Sequence, residues 1–148
     1  MQSIKTITLS ILFLMFSVFS LKAQQSPPFE TIISFFEAFH QKDSIKLSSF
    51  FDPQARVLFT SNDADGQPQK RSLSVEEFVI RVCDREAKPV WDERLGIPEV
   101  IKHQNLATIW VPFEFYLDTE FSHSGYNFFQ LFWNGEGWKI ILIADTRE

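Results

Sequence analysis

The apolar positions of the chain change period along its length. Residues 7–21 form an almost unbroken apolar run, interrupted only by Thr and Ser. From Phe29 the spacing becomes helical: Ile32, Ile33, Phe36 and His40 continue one stripe, and Phe35 and Phe39 widen it. Pro27-Pro28 suits the first turn of that helix. Asp43 reads as the cap of a second, short helix running to Phe51 and stopped by Asp52-Pro53. Residues 55–60 read as a strand, and the polar stretch 61–71, with Asp65-Gly66, as a loop or hairpin tip. Ser74-Val75-Glu76-Glu77 is a capping box, followed by a helix with Val75, Phe78, Val79 and Val82 on one face. After Lys88-Pro89 the period becomes two. Strands are expected over residues 90–102 (bent at Gly96-Ile97-Pro98), 106–117, 121–133 and 137–145. Helices first and a long meander afterwards predict an α+β fold, with N-terminal helices packed on a mostly antiparallel sheet.

The turns set a register. Placing Leu117 opposite Phe121 puts Phe115 against His123, Phe113 against Gly125, Val111 against Asn127 and Ile109 against Phe129. Placing Trp133 opposite Trp138 puts Leu131 against Ile140, Phe129 against Leu142 and Asn127 against Ala144. Both alignments select the same face of the middle strand. That face is apolar and aromatic except for His123 and Asn127, and Gly125 between them leaves space where a side chain would stand. An imidazole and an amide buried without partners cost about 1–3 kcal/mol each. They therefore either pair internally or line a wet cavity, and the second alternative is the pattern of a small-molecule site. Its expected wall comprises Val111, Phe113, Phe115, His123, Gly125, Asn127, Phe129 and Trp91. The opposite face carries Trp110, Phe128, Phe132, Ile141 and Ile143, too apolar for free solvation. A homodimer packed through the sheet is expected there.

Composition changes this picture at the N-terminus. Lys5, the apolar run and Leu21-Lys22-Ala23 read as a secretory signal over residues 1–23, leaving one domain over 24–148. The product would be exported, periplasmic or secreted, with no membrane attachment after cleavage. Losing two lysines moves the net charge from −5 to −7, so no nucleic-acid partner is expected. Cys83 is the one cysteine, which excludes an internal disulfide and favours a buried inert thiol. Ser61-x-Asp63-x-Asp65-Gly66 touches a calcium-loop pattern, but Ser72 stands where the bidentate Glu belongs. His40, His103 and His123 have no metal-ligand spacing, so neither a metal nor a cofactor is expected. Asp84-Arg85-Glu86 and Asp92-Glu93-Arg94 read as solvated charge runs. Glu93 is the carboxylate that could reach the pocket mouth and partner His123.

The segments Trp110-Val111-Pro112-Phe113-Glu114-Phe115-Tyr116-Leu117, Phe121-Ser122-His123-Ser124-Gly125, Phe129-Gln130-Leu131 and Gly137-Trp138-Lys139-Ile140, with Asp145-Thr146-Arg147 at the end, resemble the nuclear transport factor 2-like superfamily. The likeness is to its exported, lumazine-binding-like branch and covers about residues 91–147. It implies a cone, with helices closing a strongly curved sheet around a pocket, and frequent dimers through the sheet. His123 and Gly125 match the family's His-x-Gly step. The family often has Cys at Ser124, an acid at Asn127 and Tyr at Phe113, and those departures remove an obvious base and donor. Three functions stay open: an exported domain binding a small organic ligand; a cofactor-free lyase, isomerase or hydrolase with His123 as base; and an interaction module whose cone is filled.

Overall fold

A computed structural model describes residues 26–148. The expected signal segment lies outside the described residues. Among these residues, three helices are followed or interleaved by seven strands in one curved sheet. Helix α1 (Pro28–Gln41) starts on proline and stops at Lys42, whose φ of 59° lets its N–H reach the carbonyls of Ala38 and Phe39. Asp43 caps α2 (Ser44–Ser49) by accepting from the Lys46 N–H at 2.9 Å. Helix α3 (Val75–Cys83) carries the capping box: Glu77 N–H donates to Ser74 Oγ, and Ser74 N–H to Glu77 Oε2.

The strands are β1 (Phe51–Asn62), β2 (Pro68–Leu73), β3 (Trp91–Leu95), β4 (Glu99–His103), β5 (Leu106–Leu117), β6 (Glu120–Trp133) and β7 (Trp138–Arg147). Their order is β2-β1-β7-β6-β5-β3, with β4 also on β5, and only β1 and β7 run parallel. The polar stretch after Ser61 is thus a hairpin with a second strand, not simply a loop. Asp63 ties its tip, accepting from the N–H groups of Asp65 and Gln67. The second helix ends two residues sooner than expected, and Phe51 already begins β1. The bent strand 90–102 is two strands on the same edge of β5, broken where Gly96 N–H donates to the Pro112 carbonyl. A Cβ on Gly96 would stand 2.8 Å from the Pro112 ring.

The helices cover the concave face. Phe35 is the hub, its ring 5.2–6.2 Å from those of Phe36, Phe50, Phe51, Phe78 and Phe129. Arg85 is not a solvated charge: its guanidinium donates to the carbonyls of Val82, Phe39 and His40 and lies over the rings of Phe39 and Trp91. It thereby joins the C-terminal ends of α1 and α3, where carbonyl oxygens lack partners within their helices. Cys83 is half-buried, and burial pushes its thiol up.

Two one-residue bulges decide which side chains face inward. Between β5 and β6 the expected register holds from Phe115 opposite His123 to Ile109 opposite Phe129, but Leu117 pairs with Glu120 and Ser122 is extra. Phe121 then sits on the convex side, its ring against Tyr116. Between β6 and β7, Trp133 faces Trp138 and Leu131 faces Ile140 as expected. Ile141 is then extra, so Phe129 pairs with Ile143 and Asn127 with Asp145, not with Leu142 and Ala144. Ile143 is consequently a buried core residue, not part of the outer face. Trp110, Phe128, Phe132 and Ile141 do lie outside the buried core; Trp110 is 44% exposed and Phe132 37%, with the Trp110 and Phe128 rings 5.0 Å apart.

Candidate functional site

A cavity of about 330 Å³ lies between the helices and the concave face. Its walls are rings: Phe35, Phe36 and Phe39 from α1, Phe78 from α3, Trp91 from β3, Phe113 and Phe115 from β5, and Phe129 from β6. Seven of the expected wall and catalytic residues line it: Trp91, Glu93, Phe113, Phe115, His123, Asn127 and Phe129. Val111 and Gly125 do not. Val111 is fully buried beneath the wall. At Gly125 the space is already taken, because a Cβ there would stand 1.9 Å from the Thr146 carbonyl oxygen and 3.1 Å from the Phe113 ring. Glycine therefore permits a close approach of β6 to β7; it does not leave room for a ligand.

Strand pairing concentrates the polar groups. Glu93 is paired across β3–β5 with Phe115, which pairs with His123; two strands away, Asn127 pairs with Asp145. The Glu93 carboxylate accepts from Asn127 Nδ2 at 2.6 Å. Its backbone N–H donates to His40 Nε2 at 3.1 Å, which puts the His40 proton on Nδ1. Burial raises the Glu93 carboxyl to about 7; the Asn127 bond opposes that shift and the nearby Asp145 charge adds to it. Burial also raises Asp145, to about 6, against the pull of Arg147. Asp145 was missing from the expected site because only the bulge at Ile141 turns it inward. In the run Ile140-Ile141-Leu142-Ile143 either phase is equally apolar, so the sequence holds no mark of the bulge.

His123 stands in different company. Its ring stacks on Phe115 at 5.0 Å and meets Phe113 edge-on at 5.8 Å, and its Nδ1 is 3.1 Å from Ser122 Oγ. Burial first, and Arg147 second, lower its pKa, favouring the neutral imidazole. The Glu93 carboxylate is bonded to Asn127, and neither group's titration is governed by the other. The arrangement offers an aromatic chamber, one neutral imidazole and two carboxyls that titrate near neutrality. No cluster of metal-ligating side chains occurs among the described residues.

No protein-family model and no curated protein matches the sequence. Solved structures do. A nuclear transport factor 2-like protein from Cytophaga hutchinsonii is 12% identical, with a TM-score of 0.63 over 81% of this chain and 94% of that one. A nuclear transport factor 2-like protein of unknown function from Shewanella baltica is 13% identical, with a TM-score of 0.57 over 81% and 90%. A protein of unknown function with a cystatin-like fold from Nostoc punctiforme is 15% identical, with a TM-score of 0.61 over 81% and 87%. The chain has the nuclear transport factor 2-like fold.

Proposed function

We propose that this cone is an exported binding domain for a small organic ligand, held in the aromatic chamber and oriented by the polar groups on its sheet side. The observation that carries the reading is the cavity itself: about 330 Å³, walled by rings, with Glu93, His123, Asn127 and Asp145 on its lining. Volume and composition suit a small-molecule site and speak against a cone filled by its own phenylalanines. Native mass spectrometry of the purified protein, with a thermal-shift screen of aromatic and alicyclic compounds, tests it. A retained or added ligand that raises Tm supports the reading; an unresponsive protein with no bound mass refutes it. Export is tested by the N-terminal sequence of the mature chain, expected to start near Gln24. The outer face, with Trp110, Phe128, Phe132 and Ile141, is proposed to form a homodimer. Trp110→Glu should then halve the mass seen by light scattering, whereas a monomeric parent protein would end that proposal.

A second reading, cofactor-free acid–base chemistry, is favoured by the Glu93 carboxyl near 7 on the cavity wall. A base works best with its pKa close to the working pH. Here the base is Glu93, with His123 a neutral donor or acceptor on the same cavity lining. Any turnover found should fall by about 10²-fold or more in Glu93→Gln; unchanged turnover removes the reading.

A further inference from the structure

The polar atoms around the chamber are unequally satisfied. Glu93 has Asn127. Asp145 is only 7% exposed, lines the cavity, and its Oδ1 has no hydrogen-bond partner. The carboxylate also faces a Thr60 backbone N–H and Arg147, whose Nε is 3.8 Å from Oδ2, beyond hydrogen-bond reach. A buried acceptor without a donor is costly, and a guest that brought a donor to this carboxylate would recover part of the loss.

The distribution of charge says which kind of donor. The two inward carboxyls, Glu93 and Asp145, lie among rings. The two cations on the lining, Arg81 and Arg147, are exposed at the rim, and Arg147 lies over Phe59 at 5.8 Å. The Asn127 amide, a donor on the sheet side, is used by Glu93. The interior is thus rich in acceptors, and the faces of Trp91, Phe115 and Phe129 are themselves attractive to a cation.

We propose that the chamber takes an organic amine, with its protonated nitrogen donating to the Asp145 carboxylate and its apolar body lying between Trp91, Phe115 and Phe129. This rests on the small-molecule reading and adds the class of molecule. The raised carboxyl groups agree with it, since an incoming positive charge replaces the proton each would otherwise hold.

The test uses matched sets on phenyl, naphthyl and cyclohexyl skeletons: the ethylamine, the corresponding ethanol and the acetic acid, each titrated calorimetrically into the purified protein. The amine is expected to bind about tenfold or more tighter than the alcohol of the same skeleton, with the acid weakest. Asp145→Asn should abolish the amine's advantage over the alcohol, with circular dichroism and urea denaturation showing that the variant is folded. Glu93→Gln serves as the second variant if Asp145→Asn fails to fold, and is expected to weaken the amine preference in part. Alcohols binding as tightly as amines, acids binding tightest through the rim arginines, or an unchanged preference in the folded variant would each overturn the inference. If none of these compounds binds but a wider screen finds another ligand lacking an amine, the inference falls and the binding reading stands. If nothing binds at all, both fall.

Discussion

The two ends of the cone use the same residue type for opposite purposes. At the closed end, on the floor of the cavity, Phe35 is 2% exposed and meets five other phenylalanine rings, four of which are also buried. At the open end Phe115 is half-buried, touching Trp91 and His123 and facing the cavity. What separates them is the neighbouring chemistry. Around Phe35 rings interlock and fill the space. Around Phe115 the strand pairing brings Glu93, His123, Asn127 and Asp145 to one wall, and polar groups that must stay hydrated or paired keep the space from closing. An abundance of phenylalanine thus builds a floor where it is unaccompanied and a chamber where it is not.

The largest expected effect tests the floor. Phe35→Ala should cost about 3–5 kcal/mol in chemical denaturation; a loss below about 1 kcal/mol would mean that the closed end is not close-packed. Gly125→Ala comes next, since its methyl group must displace the Thr146 carbonyl. A loss of about 1–3 kcal/mol is expected, and an unaffected variant would show that β6 and β7 can part at no cost. The carboxyls follow. Glu93 and Asp145 bind protons more tightly in the folded chain than in the unfolded one, at about 7 and about 6 against 4.5 and 3.8. Their protonation stabilises the fold fully below about pH 4, and this contribution is lost as pH rises through 6–7. Urea denaturation should show lower stability at pH 8 than at pH 5 on their account. Glu93→Gln and Asp145→Asn should flatten that dependence, each gaining on the order of 1–2 kcal/mol at pH 8. A profile unchanged in both variants would mean that the chamber wall is as wet as bulk solvent. The smallest effect is at the wall: Phe115→Leu should cost less than about 1.5 kcal/mol. If it costs as much as Phe35→Ala, the contrast between the two ends disappears.

Much of this was legible in the residues because local rules act there without competition. Pro28, Asp43 and the Ser74–Glu77 pair begin helices by satisfying donors that any helix leaves open. The alternation from Ile109 to Phe115 set the β5–β6 register, since a slip would have buried Glu114 and exposed Ile109. Strand β2 was hidden because Pro68–Ser72 is entirely exposed and carries no apolar period. Arg85 was hidden inside a charge run, where a side chain that turns inward looks like its solvated neighbours; Glu93 was singled out, but as a partner of His123, whereas its bond is to Asn127. The inward turn of Asp145 was the costliest omission, because it depends on where the backbone takes up one extra residue.

That extra residue has a consequence for how such a wall can change. Ile141 sets the phase of everything after it in β7, so the terminal segment works like a dial with two settings. With Ile141 present, Ile143 and Asp145 point into the cone. With Ile141 drawn into the ladder opposite Gln130 and the bulge lost, the alternation would carry Leu142 and Ala144 inward and deliver the carboxylate to solvent. The electrical character of the chamber is therefore encoded in strand register as much as in side-chain identity. Absorbing that one aliphatic residue into regular pairing, with no side chain altered, would convert an acceptor-bearing wall into a hydrocarbon one.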